Sequence, residues 1–111
     1  MDISAQVKIA ENSPWFSGHF PGEPIFPGIA QLDLVTEVIS EFNKNDLWIK
    51  KLSRIKFKKL IRPGDLLSVH AVCEKGQNRY SFRITVADQE VCTGIMVMAD
   101  RHLLTKGPIK K

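Results

Sequence analysis

Cysteine is scarce in this 111-residue chain and follows no pattern: Cys73 and Cys92 stand alone, with no Cys-x-x-Cys pair and no clustered histidine. That argues against a zinc site and a disulfide framework and leaves two buried, reduced thiols as the expectation. Long apolar runs are missing as well. No stretch approaches the roughly 18 apolar residues of a bilayer-spanning helix, and Met1-Asp2-Ile3-Ser4 lacks the basic, apolar, small-residue succession of a signal peptide. A soluble, cytoplasmic protein without a membrane partner is expected. No internal repeat, low-complexity linker or composition break divides the chain, so one domain is expected over residues 1–104, followed by a basic tail at 105–111.

What is present suffices for a core, though a small one: 43% of residues are hydrophobic and 25% charged, a size at which dimerisation would add stability. Ile3, Ala5, Val7 and Ile9 alternate with Ser4, Gln6 and Lys8, the period of a half-buried strand. From Ile29 to Phe42 there is neither proline nor glycine, and apolar residues at Ile29, Leu32, Val35, Ile39 and Phe42 predict a helix. Trp48 to Ile61 is extended in character, Pro63-Gly64-Asp65 turns the chain, and Leu66–Glu74, Tyr80–Ala87 and Val91–Ala99 read as strands. Gly76-Gln77-Asn78 and Asp88-Gln89 are the expected hairpin turns of an antiparallel meander. One strand, one helix and then several strands is an α+β order.

Between the first strand and the helix lies Gly18-His19-Phe20-Pro21-Gly22-Glu23-Pro24-Ile25-Phe26-Pro27-Gly28, followed five residues later by Asp33. Its prolines and glycines rule against a regular element and predict a rigid, shaped loop. The stretch Asn12 to Gly28 resembles the active-site signature of the β-hydroxyacyl-acyl-carrier-protein dehydratases. In that family a His in a His-Phe-x-Gly-x-Pro-x-x-Pro-Gly frame is followed fourteen positions on by Glu or Asp, the interval from His19 to Asp33. Lys56 to Asp65 is similar to the strand and turn after the family's central helix. Gln31-Leu32-Asp33 and the short chain look most like the small dehydratases of aryl polyene and related specialised lipid pathways. The resemblance implies a hotdog fold, in which a curved antiparallel sheet wraps one long helix, and a homodimer or higher oligomer.

Dehydrating a 3-hydroxyacyl thioester needs a base for the proton beside the carbonyl, an acid for the departing hydroxyl and a donor for the carbonyl oxygen. His19 is the candidate base, since imidazole titrates near about pH 6.5 and is partly neutral at working pH. Asp33 is the candidate acid; it must hold its proton with substrate bound, which burial in an apolar tunnel would favour. Gly28 offers an N–H at a helix N-terminus, where no intrahelical partner exists and the dipole favours negative charge. A rise of about 1.5 Å per residue puts it roughly 7.5 Å from Asp33 along the axis. Phe26, Ile29 and Glu37 complete the expected substrate-binding set. Glu37 departs from the family pattern, where many members carry Gln. Lying at i+4 from Asp33, it would help hold the Asp33 proton if ionised and close; otherwise it faces solvent or a partner chain.

From Lys50 to Arg62 seven of thirteen residues are basic, the source of most of the net charge of +4. Lys56, Lys58, Lys59 and Arg62 form the expected patch for an acidic acyl carrier protein, which delivers substrate on phosphopantetheine; a merely solvated strand face is the alternative. No nucleic-acid signature accompanies the basic residues, and the resemblance implies neither a metal nor an organic cofactor. The expected activity is conversion of 3-hydroxyacyl-carrier-protein thioesters to trans-2-enoyl thioesters. A hotdog thioesterase and a non-catalytic acyl-binding subunit are the alternative classes.

Overall fold

A computed structural model describes residues 2–10, 26–74 and 78–100. The chain forms β1 (Asp2–Lys8), α1 (Gly28–Asn43), β2 (Leu47–Phe57), β3 (Leu66–Cys73), β4 (Arg79–Val86) and β5 (Gln89–Asp100). The strands make one sheet in the order β1-β3-β4-β5-β2, antiparallel at every pairing. The β3-β4-β5 meander therefore lies in the middle, and the two strands that flank α1 in sequence become the sheet's edges. The helix packs against one face of this sheet, the arrangement expected of an α+β hotdog. Among the described residues no helix is long and apolar enough to cross a membrane.

The period-2 alternation of the strands sets which face is buried. Leu67, Val69 and Ala71 of β3, Tyr80, Phe82 and Ile84 of β4, and Cys92, Met96 and Met98 of β5 all point to the helix side and are buried. Their neighbours Ser68, His70, Ser81, Arg83 and Thr93 occupy the outer face. Burial pushes the Cys92 thiol up to about 11, so it remains a neutral apolar group at ordinary pH. Cys73 is only half buried, a departure from the expectation for both thiols.

The helix runs as predicted, but it buries a different stripe. Ala30, Gln31, Val35, Val38 and Ile39 are buried, whereas Ile29 is 71% and Phe42 52% exposed. At about 100° per residue, Gln31, Val35, Val38 and Ile39 lie on one side of the axis, which lets Val35 and Ile39 enter the core together. The apolar ends of the predicted stripe rotate away from the sheet. Asn43 then holds the last turn to the sheet: its Nδ2 donates to Ile39 O at 2.7 Å and to the Tyr80 hydroxyl at 3.2 Å. Lys44 ends the helix in the left-handed region, φ 53°.

The extended segment after the helix stays in the sheet only as far as Phe57. Arg54 takes φ 55°, and the β2–β5 register shifts between Ser53 and Lys56, so a bulge bends this edge. The chain then leaves the sheet, and Ile61 O accepts a hydrogen bond from Phe26 N at 2.8 Å. The turn at Pro63-Gly64 is present, with Gly64 at φ 88° donating its N–H to Ile9 O at 2.7 Å. The first hairpin turn and the tail fall mostly or wholly outside the described residues. The second is displaced by one residue: Val86 pairs with Gln89, and the loop is Ala87-Asp88, with φ 50° and 66°. Positive φ at both central residues is the primed geometry that matches strand twist in a two-residue hairpin.

Ala87 pays a left-handed cost of about 1–2 kcal/mol, larger than the roughly 0.4–1 kcal/mol that glycine adds in unfolded-chain entropy. Ala87→Gly is therefore expected to raise unfolding stability by on the order of 0.5–1 kcal/mol in denaturant titration. Unchanged or reduced stability would refute the turn assignment.

Candidate active site

The site is organised by the first two turns of α1. Pro27 occupies the N-cap with φ −68° and ψ 156° and gives no side-chain cap. Its carbonyl accepts from Ala30 N and Gln31 N, each at 3.1 Å. Among the described residues neither Gly28 N–H nor Ile29 N–H has a backbone acceptor. These two donors, at the positive end of a 16-residue helix, suit an oxygen on which charge develops.

Gly28 sits against the Phe57 ring. A Cβ built there would lie 2.8 Å from Phe57 Cζ and 3.0 Å from Cε1. Any larger residue must displace that ring, so the absence of a side chain brings the end of β2 up against the helix N-terminus. Phe26, 5% exposed, packs into the core beside this junction. Ile29 lies on the open side.

Ile29, Asp33, Glu37 and Glu41 follow one another at i+4 and form an exposed stripe. Asp33 and Glu37 flank Val35 by two residues each, which places both about 160° around the helix from it. Asp33 thus faces away from the sheet of its own chain. The expected burial of its carboxyl does not occur within one chain: Asp33 is exposed and lines a cavity of about 300 Å³ with Thr36, Glu37, Ser40, Glu41, Asp46 and Leu47. Glu37 shares that cavity and is likewise exposed. His19 and the other loop residues from 11 to 25 lie outside the described residues.

The basic residues lie where β2 leaves the sheet. Lys56, Lys58, Lys59 and Arg62 are all exposed. Lys58 Nζ lies 2.6 Å from Glu90 Oε1, and the ammonium holds that carboxyl below the usual carboxylate range. Lys59 Nζ donates to Gln89 Oε1. The patch is thus partly neutralised by β5. Exposed ion pairs of this kind add little stability and exchange readily for an anionic partner.

One residue of the site has no counterpart in the predicted set. Gln31 is 3% exposed, the only buried polar side chain of the described core. Its Nε2 approaches Phe26 O at 3.5 Å, and its Oε1 has no hydrogen-bond partner among the described residues. A buried acceptor left unpaired costs about 1–3 kcal/mol. The apolar stripe concealed this residue, since a polar side chain was not counted toward the packed face.

If Glu37 borders the reacting group, Glu37→Gln should move one limb of the pH–rate profile, because a neighbouring negative charge is removed. An unmoved limb would assign Glu37 to solvent or to an interface.

Residues 1–95 match the family model described as ApeI-like, ApeI dehydratase. The chain is 31% identical over 101 residues to a 3-hydroxyacyl-[acyl-carrier-protein] dehydratase FabZ of Chloroflexus aggregans, covering 82% of this chain and 70% of that one. A FabZ of Rickettsia conorii is 27% identical with the same coverage. In structure the chain is similar to the dehydratase heterocomplex ApeI:P of Xenorhabdus doucetiae, with a TM-score of 0.79, 24% identity and coverage of 88% and 87% of the two chains. With the family model spanning the first strand, the signature loop, the helix and the sheet as far as the middle of β5, the chain belongs to the ApeI-like dehydratase family.

Proposed function

We propose that this dehydratase converts 3-hydroxyacyl thioesters, delivered on an acidic carrier protein in the cytoplasm, to trans-2-enoyl thioesters in a site shared by two copies of the chain. The neutral His19 imidazole takes a proton from the carbon beside the thioester carbonyl. Electron density moves onto the carbonyl oxygen, which accepts a hydrogen bond from Gly28 N–H. The C–O bond at the third carbon then breaks, the Asp33 carboxyl gives its proton to the departing hydroxyl, and water leaves as the double bond forms. One proton goes to His19 and one comes from Asp33, so transfer back through water resets the pair. No metal or organic cofactor is required by this scheme.

The observation that carries the reading is the position of Asp33 on the second turn of α1, beyond a Gly28 N–H that has no backbone acceptor among the described residues, and on the face turned away from its own sheet. A neutral carboxyl acid needs shelter from water, and the remaining shelter must come from another surface. The adjoining edge offers one. Leu52 and Phe57 pair with the buried Met96 and Cys92 and so point to the core side of the sheet, yet they are 38% and 51% exposed. They lie on an 11-residue edge strand beside the exposed Ile29. A long edge with uncovered apolar residues favours association over solvation. A second copy laid against this edge would cover them and bring its His19 loop toward Asp33.

Charge supports a carrier-protein site at the end of β2. Lys56 and Arg62, with Lys58 and Lys59 freed from Glu90 and Gln89, would meet its acidic surface where β2 ends. From there the exposed Leu60 and Phe57 lead toward Gly28, an apolar approach for the pantetheine-borne acyl group.

Incubation with 3-hydroxyacyl thioesters should yield the conjugated enoyl thioester, whereas free thiol would mark a thioesterase and tight binding without turnover an acyl-binding subunit. His19→Ala and Asp33→Ala chains should each be inactive. Mixed and allowed to exchange subunits, they should recover about one quarter of wild-type activity, since half the dimers are mixed and each holds one intact site. No recovery would contradict a shared site.

A further inference from the structure

The Gly28 N–H, the donor to the carbonyl oxygen in the proposed reaction, must be held in place by its neighbours. Pro27 gives no side-chain cap, so the first turn lacks the usual tie. The peptide preceding Gly28 is instead reached from two sides. Phe26 N donates to Ile61 O at 2.8 Å, and Phe26 O faces Gln31 Nε2 at 3.5 Å. Gln31 also donates its backbone N–H to Pro27 O. The same residue thus touches both carbonyls that precede Gly28, from within the core.

Gln31 is poorly suited to a purely structural role. Its donor contact is at the long limit of hydrogen bonding, and its acceptor is unpaired among the described residues. It is 97% buried on the same helix face as Val35, a setting in which an unbranched apolar side chain of the same length would pack as well and leave no polar atom unsatisfied. A local rule broken beside a reactive group points to function over stability.

We infer that Gln31 is a positioning residue for catalysis: its amide fixes the Phe26–Pro27 segment and thereby aims the Gly28 N–H at the developing oxyanion. This rests on the dehydratase reading. The amide does not touch the substrate; it acts through the backbone. Its influence is confined to the transition state, where the carbonyl oxygen carries most charge, so it should alter kcat and leave KM nearly alone.

Gln31→Met removes both polar atoms at nearly constant volume, and Gln31→Leu does so with a different shape. Both are expected to melt at or above the wild-type temperature, while kcat falls about ten-fold or more and KM stays within about two-fold. Both limbs of the pH–rate profile should remain in place, since neither His19 nor Asp33 is altered. A kcat within two-fold of wild type in either folded variant would overturn the inference, as would a loss expressed in KM. Failure of both variants to fold would also overturn it, because Gln31 would then be needed for structure. Wild-type turnover run alongside separates the two claims: an inactive wild type defeats the dehydratase reading, and an active wild type with active variants defeats only the role of Gln31.

Discussion

The rotation of α1 on its sheet is the constraint on which the rest depends. Val35 and Ile39 are fully buried against the meander, and burying each contributes about 1.5–3 kcal/mol. With those two positions held, every other residue of the helix has its direction assigned. Gln31 and Val38 must face inward, and Asp33 and Glu37 must face outward. The Asp33 carboxyl, the proposed acid, is therefore displayed by the packing of Val35 and Ile39. A helix turned to bury Ile29 and Phe42 instead would carry Asp33 elsewhere.

On the proposed reading, that rotation divides the work between one chain and the next. One chain alone supplies a helix N-terminus whose first donors have no backbone acceptor among the described residues, a glycine pressed against Phe57 and a carboxyl held at a defined distance along the axis. It does not supply the dry surroundings that a carboxyl acid needs. The β2 edge beside the helix has the opposite deficiency, with core-facing Leu52 and Phe57 left uncovered. Apposing two such faces would meet both needs at once, covering apolar surface while closing water away from Asp33. Stability and catalysis would then share one interface, consistent with the small core that a chain of this length can build.

Much of the fold was legible because each signal was local. Alternation in β1 and β3 to β5 follows from having one face on the core, and the helix announced itself by the run without proline or glycine. The His-to-Asp interval and its Pro-Gly frame carried the family resemblance. What escaped depends on tertiary choice. Periodicity alone permits several rotations of the helix, and the core selected one in which Gln31 replaces apolar Ile29. Turn chemistry favoured Asp88-Gln89, yet sheet register placed Ala87 at positive φ. The end of β2 at Phe57 reflects the bulge at Arg54, which no residue type there announces. The exposure of Asp33 follows from that same rotation, which the spacing of apolar residues did not determine.

The central claim is that the site is completed by a second chain. Specific activity measured by dilution through the range in which sedimentation shows dimers dissociating tests it most directly. The account predicts that specific activity falls in step with the dimer fraction and vanishes for monomers that remain folded. Constant specific activity across that range, with folded monomers predominating, would contradict it.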